Sequence, residues 1–322
     1  MYIFNKMQKR HKDRFRYFQE LACTTKDFYI ELLRSYINIG VGTKVLEIGC
    51  GEGGNLLPFA QIGCLVTGID ICDSRIEQAV DFFKRENQKG TFICENFMLL
   101  NNSKDGIGKF DIIILRDVIE HIEPPCKKEF LSHIKEFMTE KSLVFVCFPA
   151  WQNPFGGHQQ ISTGFVSKIP FIHLLPNPLY KAFLTLNGTN SDTIQELFSI
   201  KRSQVTVESF EKLIKTIGFR IVKRQLWLIN PHYKQKFNLT PRLLSPVFSK
   251  IKYLRNFYTT SCTYVLRKYF FSNSFNYDLP NSYIYFILEY SSVSFIACIC
   301  SLMMASEKAS SLRSILCAVV VE

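Results

Sequence analysis

The run Val45-Leu46-Glu47-Ile48-Gly49-Cys50-Gly51-Glu52-Gly53-Gly54-Asn55 constrains the fold of this chain more than any other stretch. Its first four residues are apolar apart from Glu47, which suits a short buried strand. The chain then breaks into a loop with glycine at positions 49, 51 and 53. Glycine takes positive φ without strain and lets a ligand lie against the backbone with no Cβ between them. Asn55 to Ala60 reads as a helix start, with Pro58 tolerated in the first turn. Strand, glycine loop and helix start together make a pocket for a nucleotide-like ligand.

Two readings of the glycines compete. Gly49-x-Gly51-x-x-Gly54 fits the dinucleotide fingerprint, a weak signal in isolation. Glu47-x-Gly49-x-Gly51-x-Gly53 instead resembles motif I of class I S-adenosylmethionine-dependent methyltransferases. The acid separates the two. A carboxylate two residues before the first glycine would repel a pyrophosphate, whereas it can pair with the ammonium of a methionine moiety.

The following segments agree with that resemblance. Cys64 to Asp70 reads as a second buried strand ending in an acid, 21 positions after Gly49. Such an acid accepts hydrogen bonds from ribose hydroxyls in nucleotide folds. Ser74-x-x-Glu77 has the form of a capping box opening a helix whose apolar face is Ile76, Ala79, Val80 and Phe83. Thr91 to Cys94 and Phe110 to Leu115 are further strands, and Asp117-Val118-Ile119-Glu120-His121-Ile122 resembles the post-strand-four segment of many small-molecule methyltransferases. Pro124 and Pro125 open a helix carrying Phe130, Leu131, Ile134, Phe137 and Met138. Leu143 to Phe148 is an almost wholly apolar fifth strand. Thr206 caps a helix that Gly218 ends, and Phe219–Leu228 and Thr260–Lys268 supply the last two strands.

Strands alternating with helical periods predict a doubly wound α/β fold. The resemblance implies a seven-stranded, mostly parallel sheet with an antiparallel last strand, an N-terminal helical lid and a helical insertion after strand five. The expected organisation is a helical cap over 1–40, a methyltransferase domain over 41–268 with a substrate lid inserted at 150–205, and an atypical apolar tail over 269–322. Within the cap, residues 11 to 38 read as two helices, Thr24 or Thr25 capping the second. The tail contains 23 residues, 283 to 305, with only Glu289 charged. That is roughly the length of a membrane span, but its charge and serines favour a surface-lying or packed helix.

The resemblance also assigns a cofactor, S-adenosylmethionine, to Glu47, Gly49, Cys50, Gly51, Gly53, Asp70, Ile71 and Asp117. The acid that often reads the adenine amino group after strand three corresponds to Glu95, or to Asn96 as a neutral substitute. Methyl transfer is an in-line displacement, so much of the catalysis is positioning. A base is needed only when the acceptor must lose a proton. His158 and His121 are the candidates, because histidine titrates nearest neutral pH; His158 is better placed, and His121 reads as a helix-start histidine that orients the loop. His158 lies in Trp151-Gln152-Asn153-Pro154-Phe155-Gly156-Gly157-His158-Gln159-Gln160, which follows strand five and should border the acceptor with aromatic surface, carboxamides and two flexible glycines. No metal-ligand set stands out by spacing, so no metal is expected.

Composition bounds the partners. With 47% hydrophobic and 14% aromatic residues the chain is not a largely disordered one. The eleven cysteines are scattered, without Cys-x-x-Cys pairs, and the first residues lack a cleavable signal, which together point to a cytoplasmic protein with free thiols. The first 268 residues carry 37 basic against 24 acidic side chains. Part of the excess is Lys6, Lys9, Arg10, Lys12, Arg14 and Arg16, and part is Lys250, Lys252, Arg255, Arg267 and Lys268. If functional, these runs favour an anionic partner: a charged substrate, an anionic membrane surface or RNA. The apolar insertion at 160–205 suits a substrate lid or, equally, a dimer surface. The favoured reading is methylation, at oxygen, of a small-molecule or lipid- or glycan-linked acceptor. An RNA methyltransferase and a non-catalytic methyltransferase-like binding protein are the alternatives.

Overall fold

A computed structural model describes residues 13–162 and 164–269. Lys6, Lys9, Arg10, Lys12 and the tail from residue 270, with its apolar stretch 283–305, lie outside the described residues.

One eight-stranded sheet organises this region. Its strands are β1 (Lys44–Ile48), β2 (Leu65–Asp70), β3 (Thr91–Cys94), β4 (Phe110–Arg116), β5 (Met138–Phe148), β6 (Phe219–Ile229), β7 (Arg242–Leu243) and β8 (Ser261–Lys268), in the order β3-β2-β1-β4-β5-β8-β6-β7. The first five are parallel, and β8 enters antiparallel between β5 and β6, with Val146 opposite Tyr264. The seven expected strands are all present; the two-residue β7 adds an eighth on the edge, antiparallel to β6.

The central strands are apolar on both faces because both faces are covered. Side chains alternate between them with the period of two that a strand imposes. Ile113 and Leu115 of β4 and Val144, Val146 and Phe148 of β5 enter one core, with Phe130, Ile134, Phe210 and Ile214 from helices. Ile112, Ile114, Leu143 and Phe145 enter the other, with Phe18, Leu33, Phe59 and Phe83. Each fully buried side chain of this size contributes about 1.5–3 kcal/mol.

The helices depart from expectation in three places. Residues 14–34 form a single run, α1 (Arg14–Thr24) continuing through a π-turn (Thr25–Tyr29) into α2 (Ile30–Arg34). Neither threonine caps a second helix: the Thr24 hydroxyl donates back to Glu20 O at 2.8 Å, and the Thr25 hydroxyl leaves the helix to donate to Asn55 Oδ1 at 2.9 Å. After α3 (Leu57–Gln61), α4 (Asp73–Arg85) begins with Cys72 as its N-cap residue, so the Ser74–Glu77 capping box does not form. Asp70 accepts the Cys72 N–H and fixes that turn early. The buried face of α4 is Ile76, Ala79, Phe82 and Phe83, with Val80 exposed. Thirdly, α5 (Lys127–His133) ends before Met138, which already belongs to β5.

The insertion after β5 holds α6 (Asn177–Leu186) and α7 (Ser191–Ser203), packed on a small core of Val166, Ile172, Tyr180, Leu184 and Leu197. The chain returns through α8 (Val207–Thr216), capped by Thr206 with Ser209 and closed at Gly218, φ +76°, as the sequence indicates. Among the described residues no helix is long and apolar enough to cross a membrane.

Candidate functional site

The chain order of the parallel strands reverses between β1 and β4, and open α/β sheets leave a crevice at the carboxyl ends of the strands at that point. Two turns line it. The glycine loop leaves β1 with Gly49, Gly51 and Gly53 at φ +71°, +52° and +78°. The segment after β4 faces it so closely that a Cβ on Gly49 would lie 2.6 Å from Val118 Cγ2. On its other side the loop abuts α1, where a Cβ on Gly54 would meet Phe18 O at 2.6 Å, and Arg14 pairs with Glu52 at 3.0 Å. A Cβ on Gly51 would meet nothing within 4 Å. The cradle is therefore tight at both ends and open in the middle.

Backbone amides fix the acid at the end of β2. Gly51 N–H donates to Asp70 Oδ2 at 2.8 Å and Cys72 N–H to Asp70 Oδ1 at 2.9 Å, while Gly49 and Cys50 donate to Ile69 O. Each carboxylate oxygen keeps a lone pair for a ligand. Beside it Ile71 is 76% exposed, an apolar surface left uncovered at a strand end.

Beneath the loop lies a polar group that sequence reasoning found only in part. Glu47 is 1% exposed. Its Oε1 accepts from Asn55 Nδ2 at 2.6 Å, and its Oε2 finds no donor. Burial pushes this carboxyl up to about 8, against the opposing pull of the Asn55 hydrogen bond and Arg116. Asn55 Oδ1 in turn accepts from Thr25 Oγ1 and from Arg116 Nη1 at 3.2 Å. Arg116, at the end of β4, also stands 3.7 Å from Asp117 Oδ2 and over the ring of Tyr29. The roles of Thr25, Asn55 and Arg116 have no local signal: a π-turn, a helix-start asparagine and a strand-end arginine become one network only in the fold.

At the end of β3, Glu95 Oε1 accepts from Asn96 N–H at 2.6 Å, and Asn96 Oδ1 accepts from Met98 N–H at 3.0 Å. Asn96 spends its oxygen capping the following turn, which leaves the exposed Glu95 as the acid facing that side.

The other side of the crevice is assembled from distant segments. Asp117 takes φ +54° and donates its N–H to Cys147 O at 2.8 Å, anchoring the turn after β4 to β5. Glu120, in that turn, is 3% exposed and neither of its oxygens meets a hydrogen-bond donor. His158 Nε2 stands 3.7 Å from Glu120 Oε1, and the His121 and His158 rings meet edge to face at 5.2 Å. Burial raises the Glu120 carboxyl and lowers the His158 imidazole to about 4, so that ring is neutral near pH 7. His121 is exposed and sits in a turn, not at a helix start. Although no ligand set is legible by spacing, the fold brings ligand atoms of Glu120, His121 and His158 within 4.8 Å of one another.

The loop carrying His158 is not the open, flexible border expected. Trp151, Asn153, Phe155 and Gln159 are buried. Asn153 Nδ2 donates to Ala150 O, and Gln159 Nε2 donates to Pro154 O and Ile169 O. Gly156 and Gly157 are small by necessity: Cβ atoms there would approach Ala150 O at 2.4 Å and His173 Cβ at 2.2 Å. The carboxamides hold the loop's own backbone, and His158, at φ +54°, projects toward Glu120 and His121. The basic run at 250–268 is likewise drawn into the fold. Arg255 is buried against Glu208 at 2.9 Å, Arg267 donates to Tyr36 O and Lys268 to Lys135 O, leaving only Lys250 and Lys252 of the five fully free to face solvent.

The donor set fits a ligand with a cationic amine, vicinal hydroxyls and a flat base: an orphaned buried carboxylate oxygen, an anchored acid with lone pairs to spare, an open glycine cradle and exposed apolar surface. Comparison with known proteins adds to this. Residues 17–223 match a family model described as a methyltransferase domain. A ubiquinone biosynthesis O-methyltransferase of Rickettsia canadensis is 32% identical over 97 residues, 30% of this chain and 39% of that protein. The enzyme of the same description from Rickettsia bellii is 27% identical over 120 residues, 37% of this chain and 48% of that protein. The match thus spans less than half the length of these relatives. Among solved structures, a magnesium protoporphyrin IX methyltransferase from Synechocystis PCC 6803 with bound SAH is 18% identical, covers 83% of this chain and 90% of its own, and has a TM-score of 0.46.

Proposed function

The chain belongs to the methyltransferase-domain family, with the Rossmann-like fold of the class I S-adenosylmethionine-dependent enzymes, and from that premise we propose that it methylates an oxygen of a small-molecule or lipid- or glycan-linked acceptor. The observation that carries the reading is Asp70, clamped by Gly51 N–H and Cys72 N–H beside an open cradle of positive-φ glycines. S-adenosylmethionine, when bound, supplies an electrophilic methyl group on a sulfonium. The backbone of Gly49, Cys50, Gly51 and Gly53 would receive it, with Asp70 at the ribose hydroxyls, Ile71 and Glu95 at the base, and Glu47 and Asp117 toward the amine. Asn96 carries no role, its oxygen being committed elsewhere.

The acceptor enters from the opposite side, where Glu120, His121 and His158 meet. A neutral His158 offers a lone pair to an acceptor hydroxyl, which is how a phenol or enol is held and relieved of its proton. The similarity to ubiquinone biosynthesis O-methyltransferases supports oxygen as the target. Residues 1–40 serve as a cap, as α1 packing against the glycine loop suggests, 41–268 form the catalytic domain, and 150–205 serve as the lid over the acceptor. The cysteines among the described residues are all free thiols, which supports a cytoplasmic location. RNA is disfavoured because Arg255, Arg267 and Lys268 are occupied within the fold.

The test is transfer of label from methyl-tritiated S-adenosylmethionine to a panel of small phenols, small carboxylic acids and total RNA. Label in an organic-extractable phenolic product is expected. Label confined to RNA would contradict the reading.

A further inference from the structure

Lys127 is a buried cation without a counter-charge. It opens α5, is 8% exposed, and donates from Nζ to Ser203 O at 3.1 Å and to Ser203 Oγ at 2.5 Å. Both acceptors are neutral, and an ammonium has a third donor to place. The acids whose fields reach it do not pair with it. Neither oxygen of Glu120 meets a donor, and Glu123 accepts from Ser199 and Arg202. Among the described residues no carboxylate stands within ion-pair distance of Nζ. The carbonyl end of α7 offsets about half an elementary charge. The remainder is a buried charge with nothing opposite it, which is costly, and burial lowers the ammonium to about 8.

The same side chain lines a cavity of about 170 Å³, partly open to solvent, between the turn after β4, the end of α7 and the start of α8. Its walls are mostly apolar, with Ile119, Val205, Phe210 and Leu213 among them, and Lys127 and Ser203 stand at its polar side. Ile119 packs into the core that holds Phe210, while Glu120, next in the chain, meets His158. The turn after β4 is therefore a wall between this cavity and the crevice.

We propose that this cavity is a second binding site, separate from the crevice, for a small monocarboxylate whose apolar body is about the size of one aromatic ring, with Lys127 holding its carboxylate. The single uncompensated cation asks for one negative charge, which a charge-assisted hydrogen bond from the third N–H would hold. The apolar walls exclude a strongly hydrated dianion such as phosphate, which needs more donors than the cavity offers. The size follows from the volume, since a cavity of roughly 150 Å³ is enough for benzene. Occupancy has a consequence across the wall. The carboxylate would cancel the field of Lys127 at Glu120, which now lowers that acid. The occupant also rests on Val205, whose carbonyl accepts the Trp151 N–H at 2.9 Å, so it sits where the insertion both begins and ends. The site is thus placed to modulate the acceptor side and leave the cofactor side alone. That consequence rests on the methyltransferase reading; the binding site itself does not.

The experiment titrates benzoate and its neutral isostere benzamide calorimetrically into the full chain and into Lys127→Met, Leu213→Trp and His158→Ala. S-adenosylhomocysteine is titrated into the same samples, and thermal unfolding checks that each is folded. Lys127→Met removes the charge and keeps the apolar stem. Leu213→Trp, at a half-buried position of the wall, fills the cavity and leaves the Lys127–Ser203 bonds in place. The expected result is one benzoate per chain, with benzamide weaker by at least about tenfold, as loss of a hydrogen bond to a charged group gives. Lys127→Met and Leu213→Trp should each weaken benzoate by a similar factor, with His158→Ala and S-adenosylhomocysteine binding unaffected. The benzamide comparison needs no variant, so it decides even where one fails to fold. Benzamide bound as tightly as benzoate, or no saturable binding of benzoate, would overturn the site. So would benzoate affinity unchanged in the folded cavity variants but lost in His158→Ala, which would place the anion in the crevice. Benzoate bound as expected by a protein that binds no S-adenosylhomocysteine would overturn the methyltransferase reading and leave the carboxylate site standing.

Discussion

The two sides of the crevice are built in different ways. The glycine-loop side is a local construction: strand, three positive-φ glycines and an acid, with Asp70 satisfied by two amides from its immediate surroundings. The β4–β5 side is assembled across the chain from a turn and a loop 38 residues apart, and it leaves Glu120 unsatisfied. The first side holds its anchored acid in place before any ligand arrives and keeps a single orphaned oxygen, Glu47 Oε2, beneath the loop. The second leaves both oxygens of Glu120 without a donor. A cofactor side shared by many relatives can be stiff, whereas an acceptor side that selects its own substrate keeps its polar groups unspent.

If the two sides are separable, substitutions should divide their effects. The largest effect on ligand affinity is expected at Gly49→Ala, where a Cβ meets Val118 Cγ2 at 2.6 Å and φ is +71°. The left-handed strain alone costs about 1–2 kcal/mol. Calorimetry should show S-adenosylhomocysteine affinity falling by about a hundredfold, or roughly 2.7 kcal/mol. On the other side, Gly157→Ala drives a Cβ to 2.2 Å from His173 Cβ. Such overpacking costs about 1–3 kcal/mol, and kcat/KM for the acceptor should drop by about tenfold, as a misplaced group would give, with S-adenosylhomocysteine affinity unchanged. Equal losses of both affinities in both variants would break the division.

A pH experiment sharpens it further. Burial raises the Glu47 carboxyl to about 8, above its unfolded value near 4.5. The folded protein therefore holds this proton more firmly than the unfolded chain, and stability falls as pH rises from about 4.5 through 8. Arg116 and Asn55 oppose the shift, Asp70 and Asp117 add to it. Glu47→Gln should remove that slope, gaining about 4 kcal/mol over wild type at pH 8 and less than about 1 kcal/mol at pH 5, as read by denaturant unfolding. A slope of the same size in the variant would assign it to other groups. The smallest effect is expected at Thr25→Ala, which removes the donor to Asn55 Oδ1 at 2.9 Å. About 1 kcal/mol of stability should be lost, with cofactor affinity weakened several-fold and acceptor KM unmoved.

The difference in construction also explains what could be read from the sequence. The parallel strands, the Thr206 cap and the Gly49–Asp70 half of the site depend on short-range periodicity and turn chemistry, so they are legible. The single helical run over residues 14–34 is not, because Thr25 reaches a partner thirty residues away. Val80 was expected inside and lies outside because α1 draws the buried stripe of α4 toward Phe82, which packs on Phe15 and Phe18. Gly156 and Gly157 look flexible in sequence and are close-packed, since only the fold supplies Ala150 O and His173 against them. Glu120 and His158 have no common signal at all; the strand order alone makes them neighbours.

The central claim, an S-adenosylmethionine site on the stiff side of the crevice, is tested most directly by one calorimetric comparison. S-adenosylmethionine, S-adenosylhomocysteine and NAD are titrated into wild type and Asp70→Ala. Micromolar binding of both adenosyl ligands to wild type, lost in the variant and absent for NAD, is the predicted result. A folded wild type that binds neither adenosyl ligand, or that binds NAD tightly, would contradict it.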